Sequence, residues 1–65
     1  MVRLVVYDML GREVRTLVAE PLSVGTYRLQ WDGMDERGLP VAGGFYVYRL
    51  SVGAYTEART MLLIR

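Results

Sequence analysis

The run Trp31-Asp32-Gly33-Met34-Asp35-Glu36-Arg37-Gly38-Leu39-Pro40-Val41-Ala42-Gly43-Gly44-Phe45-Tyr46 constrains the fold most. It reads as a strand end, a tight turn punctuated by glycine, a short arm, a Gly-Gly turn and the start of another strand. Gly33, Gly38, Gly43 and Gly44 supply the backbone freedom, and Asp32 and Asp35 can bond their own downstream N–H groups. A helix cannot run through such punctuation. The turns leave room only for short extended segments on either side.

The rest of the chain agrees. Val2 to Tyr7 is a β-branched and aromatic run with apolar residues on both faces, as in a strand at the middle of a small sandwich. Asp8 to Arg12 is a turn, with Asp8 bonding its own downstream backbone and Gly11 taking positive φ. Glu13 to Val18 is a second strand, in which Val14 and Leu17 are three apart. A β-bulge puts both inward, and one turn of helix is the competing reading. Pro21 ends this segment.

Thr26 to Trp31 alternates cleanly, with Tyr27, Leu29 and Trp31 on the apolar side. Phe45 to Val52 is a strand with Tyr46, Tyr48, Leu50 and Val52 sharing a face. Val52-Gly53-Ala54-Tyr55 is a hairpin turn, and Tyr55 to Ile64 is the last strand. Its inward set is either Thr60/Leu62/Ile64 or Met61/Leu63. Turn signals at short intervals predict an all-β, antiparallel sandwich of about five strands, forming one domain over residues 1–65.

Sixty-five residues bury only about 60% of the surface their unfolded chain exposes. A hydrophobic content of 52% opposes disorder. Most of the aromatics are therefore expected in the core, Trp31 and Phe45 among them, with Tyr7 and Tyr55 as surface exceptions. Cysteine is absent, so no disulfide framework forms. The net charge of +1 gives no basic field for nucleic acid. No window is long and apolar enough to span a membrane as a helix. The first residues are too short and alternating for a signal peptide, and the domain reads as a fragment of a larger protein.

Catalytic parts are missing. There is no His, Cys or Lys, and neither Ser23 nor Ser51 sits in a nucleophile pattern. Asp32 and Asp35 could offer oxygens to calcium, but turn chemistry is the preferred reading, and no metal or cofactor is assigned. All eight basic residues are Arg. Arg3, Arg28, Arg49 and Arg59 alternate with apolar neighbours and point outward, with Glu13 and Glu57 as partners.

Four blocks in order carry a family resemblance. They are Val2 to Val14, Gly25 to Gly38 with Trp31-Asp32-Gly33-Met34-Asp35, Val41 to Tyr46, and Arg59 to Arg65. The chain resembles the small immunoglobulin-like domains shared by FlgD-type hook-capping proteins and type IX secretion sorting domains. That family usually carries an earlier strand, which is missing here, and an unpaired edge would invite self-association.

The resemblance implies one of two functions. A sorting domain is the C-terminal label of an exported bacterial protein. It passes the periplasm, is recognised by outer-membrane secretion machinery, and is removed by a sortase-like peptidase at the cell surface or outside. A hook-capping domain packs against neighbouring subunits. A spacer or sugar-binding module of a secreted glycoside hydrolase is a third possibility. The sorting reading is preferred, with Arg59, Thr60, Met61, Leu62, Leu63, Ile64 and Arg65 as the recognised strand. Asp8, Gly11, Asp32, Gly33, Asp35, Gly38, Gly43 and Gly44 are assigned to turns.

Overall fold

A computed structural model describes residues 1–21 and 30–64. Four strands are present: β1 (Val2–Tyr7), β2 (Glu13–Glu20), β3 (Gly44–Val52) and β4 (Tyr55–Leu63). They form one antiparallel sheet in the order β2-β1-β3-β4. The described residues contain no helix. The architecture is all-β, consistent with a small Ig-like fold.

β1 lies between β2 and β3, and its composition explains why. Val5 and Val6 point to opposite faces, yet Val5 is 2% and Val6 0% exposed. A strand with apolar residues on both sides is stable only where both sides are covered. Each such valine contributes about 1.5–3 kcal/mol relative to exposure. Val2, Leu4 and Val6 share one face with Tyr48, Leu50 and Val52, their partners in β3. Val18 of β2, opposite Leu4, is buried on this face, and Tyr46 of β3 is buried as well.

The β1–β2 register shifts twice, between Leu4 and Val5 and between Val6 and Tyr7. The shifts leave Leu17 and Val14 without opposing partners, so each occupies a bulge. Both are half-buried. This decides between bulge and helical turn for the three-residue spacing. β2 runs on to Glu20, two residues beyond Val18, and stops at Pro21, which has no N–H to continue a ladder.

The β3–β4 hairpin closes on Val52 and Tyr55 around Gly53-Ala54. Gly53 has φ 56°, as a II′ turn requires at its first central position. The register then runs without a shift to Gly44 opposite Leu63. Met61 and Leu63 are the half-buried set in β4, whereas Leu62 and Ile64 are exposed.

Three expectations change. Of the strand expected over Thr26 to Trp31, residues 26–29 lie outside the described residues. Gln30 and Trp31 belong to no strand. Trp31 instead closes a local arm: its indole Nε1 donates to the Met34 carbonyl at 2.9 Å. Phe45 is exposed, not core, because it sits out of phase with Tyr46 and faces the opposite side of the sheet. Tyr55 is exposed as expected, while Tyr7 is half-buried.

Candidate interaction surface

Two turns of identical design flank the β2 strand. In Asp8-Met9-Leu10-Gly11-Arg12, the Asp8 Oδ1 accepts from the Leu10 and Arg12 amides, each at 2.9 Å. The Asp8 amide donates to the Arg12 carbonyl, and the Gly11 amide donates to the Asp8 carbonyl. Asp35-Glu36-Arg37-Gly38-Leu39 repeats every one of these bonds. Asp35 Oδ1 accepts from the Arg37 amide at 2.9 Å and the Leu39 amide at 3.1 Å. The Asp35 amide donates to the Leu39 carbonyl, and the Gly38 amide to the Asp35 carbonyl. Gly11 and Gly38 have φ of 83° and 79°, a region costly for any residue with a Cβ.

The same bonds set the acidity of both carboxyls. The Arg12 amide holds Asp8 below its ordinary value against the opposing effect of desolvation, helped by the Arg12 side chain and the Leu10 amide. The Leu39 amide does the same for Asp35, helped by the Arg37 side chain and amide. Asp32 Oδ1 accepts from the Met34 amide at 3.0 Å and lies 3.6 Å from Arg15. The acidic oxygens of this segment are thus turned onto backbone and arginine. No group of three metal-ligating side chains lies together among the described residues. Gly33 and Gly44 have positive φ, 76° and 145°, while Gly43 does not.

The second turn is docked on β2. The Glu36 amide donates to the Val14 carbonyl at 3.2 Å, and the Glu36 carboxylate accepts from the Thr16 amide. Arg15 Nη1 donates to the Asp35 carbonyl at 3.4 Å. The arm is fastened to the sheet at its other end. Trp31 meets Tyr46 edge-on at 5.1 Å, and the Tyr46 hydroxyl donates to the Ala42 carbonyl. The Val41 amide donates to the Gly33 carbonyl, and Met34 bridges Pro40. The outer edge of β2 is therefore covered from Val14 to Thr16 by residues of its own chain.

β4 forms the other edge, and no strand lies on its outer side among the described residues. Arg59 and Thr60 are exposed, Met61 and Leu63 half-buried, and Leu62 and Ile64 are 56% and 82% exposed. Arg65 lies outside the described residues. Leu62 stands opposite Phe45, itself 58% exposed, so the two make an apolar pair on the outer face. Phe45 was expected in the core and not at this surface. Its signal was the alternation that placed Tyr46 inward.

Arg59 Nη2 donates to Glu57 Oε1 at 2.7 Å, and the Tyr55 hydroxyl donates to Glu57 Oε2 at 2.9 Å. The Arg59 side chain, then the Tyr55 hydroxyl, hold the Glu57 carboxyl below its ordinary value. At the other edge Arg3 pairs with Glu13 at 3.2 Å. Arg28 lies outside the described residues. Elsewhere, a shallow open hollow is lined by Tyr7, Met9, Val47, Arg49 and Ala58. Its carboxylate, Asp8, is already committed to Arg12.

A family model for the FlgD Ig-like domain matches residues 1–57. The chain belongs to the FlgD Ig-like domain family. No curated protein and no solved structure matches it. The FlgD Ig-like match covers β1, β2, the docked arm, β3 and the hairpin, and it stops within β4. It describes a structural Ig-like module. Of the strand expected to be recognised, all of Arg59 to Arg65 lies beyond the match.

Proposed function

We propose that this domain is a non-catalytic recognition module that presents β4 to a partner, and that its role is that of a sorting domain for type IX secretion. The observation that carries the reading is the position of β4 at a sheet edge with no strand beyond it among the described residues, with Leu62 and Ile64 exposed. An edge strand with unused backbone groups and outward apolar side chains is suited to capture by strand addition. The partners are outer-membrane secretion machinery and then a sortase-like peptidase. The domain travels through the periplasm to the cell surface or beyond.

The second reading is a subunit-packing module, favoured by the FlgD Ig-like match itself. A secretion assay separates the two. The domain is placed behind an exported fluorescent reporter in a host with type IX machinery, with a Leu62→Glu, Ile64→Glu variant alongside. Sorting predicts extracellular reporter with the domain removed, and retention of the variant. Periplasmic retention of both, with the fold intact by circular dichroism, would leave the packing module.

A further inference from the structure

We infer that the open edge of β4 pairs with β4 of a second copy, in one antiparallel register centred on Ala58. Val52 and Tyr55 face each other across a two-residue loop, and such a closing pair exchanges both backbone hydrogen bonds. The β3–β4 register has no bulge, so the alternation continues unbroken. Tyr55, Glu57, Arg59 and Met61 use their N–H and C=O groups toward β3. Thr56, Ala58, Thr60 and Leu62 turn theirs outward. All four of these outward-turned residues are exposed, and none carries a charge to repel a second strand.

Thr56-Glu57-Ala58-Arg59-Thr60 reads the same from either end, except that its charges are opposite. A two-fold axis at Ala58 sets Ala58 against Ala58 and Thr56 against Thr60, with outward backbone groups meeting on both sides. It also sets Glu57 against Arg59 twice. These fall on the non-hydrogen-bonded positions, where side chains approach most closely. Tyr55 then opposes Met61.

The other registers centred between Thr56 and Thr60 fail. An axis at Glu57 opposes two carboxylates, and one at Arg59 opposes two guanidinium groups. An axis at Thr56 sets Glu57 against Tyr55 and Arg59 against Gly53, and one at Thr60 sets Arg59 against Met61 and Glu57 against Leu63. An axis between residues sets Glu57, whose backbone is used by Leu50, against the outward groups of Ala58. Among axes from Thr56 to Thr60, the Ala58 register is the one that satisfies both backbone and charge. The two FlgD Ig-like sheets join edge to edge with isologous symmetry.

The test is sedimentation equilibrium of the full chain from micromolar to millimolar concentration. The parent chain should dimerise. Glu57→Arg and Arg59→Glu should each weaken the dimer by about tenfold or more, because each creates two like-charge pairs. The double swap should restore it. Ala58→Pro removes an N–H that β3 does not use, so it should abolish the dimer while the circular dichroism of the sheet is kept.

A chain that stays monomeric throughout overturns the inference. So does a dimer indifferent to both reversals. The inference shares the open edge with the sorting reading but is read out separately: sedimentation reports pairing and the reporter assay reports export, so each can fail alone.

Discussion

The two edges of this sheet are built differently. β2 and β4 are similar in length and each has one neighbour, β1 or β3. At β2 the exposed backbone is taken up by Glu36, which bonds Thr16 and Val14, while Arg15 reaches Asp32 and the Asp35 carbonyl. The two bulges at Leu17 and Val14 also break its flatness. At β4 the register against β3 runs without a shift for its whole length, with uncharged outward positions. Proteins usually close or blunt both edges, because a bare edge is a template for another chain. Among the described residues, the arm covers part of the β2 edge and no strand covers the β4 edge.

The largest way to break this asymmetry is to release the arm at its anchor. Trp31→Ala removes the edge-on contact with Tyr46 and the bond to Met34, and should cost about 2–3 kcal/mol in a urea melt. For a domain this small that is a large share of its stability. Thr16 should lose amide protection at the same time.

A smaller break is at the turn that shapes the arm. Gly38→Ala meets no neighbouring atoms, so its cost is backbone strain alone, about 1 kcal/mol. Gly11→Ala should cost the same, since the two turns share their bonding and φ. Gly43→Ala, at a position without positive φ, should carry none of this left-handed strain.

Smaller again, Glu36→Ala leaves the arm in place but removes its bond to Thr16, at about 0.5–1 kcal/mol. Glu57→Ala at the open edge should leave the dilute chain's melting temperature unmoved, because its bonds are exposed and local.

Acid sharpens the same contrast. Asp8, Asp35 and Glu57 are held below their ordinary values in the folded chain. Their contribution is complete above the ordinary carboxylate range and is lost as pH falls through the depressed folded values. Stability should therefore hold from neutral pH down to the ordinary values, 4.5 for Glu57 and 3.8 for the aspartates, and decline as pH falls below each. Asp35→Asn should flatten that decline more than Glu57→Gln, since only Asp35 holds the arm in shape.

The strands were legible because their information is local. Alternation put Val2, Leu4 and Val6 on one face of β1 and Tyr46, Tyr48, Leu50 and Val52 on one face of β3, and Gly53 placed the hairpin between β3 and β4. The Asp8 and Asp35 turns were legible for the same reason, although their shared Asp-x-x-Gly-x pattern was in plain sight and went unmatched.

The docking of Glu36 on Thr16 was not legible, because nothing local links a turn to a strand twenty residues away. The inward set of β4 was ambiguous because both candidate faces are apolar. Only the register against β3, with Phe45 opposite Leu62, turned Met61 and Leu63 inward. Trp31 read as a strand residue by alternation, but its indole serves the arm instead.

Amide hydrogen exchange by NMR, followed across a dilution series, tests the contrast of the two edges most directly. At low concentration the account predicts a protected Thr16 amide and fast-exchanging Ala58 and Thr60 amides, with Ala58 and Thr60 gaining protection together as concentration rises. Ala58 protected at every dilution, or Thr16 exchanging as fast as Ala58, would contradict it.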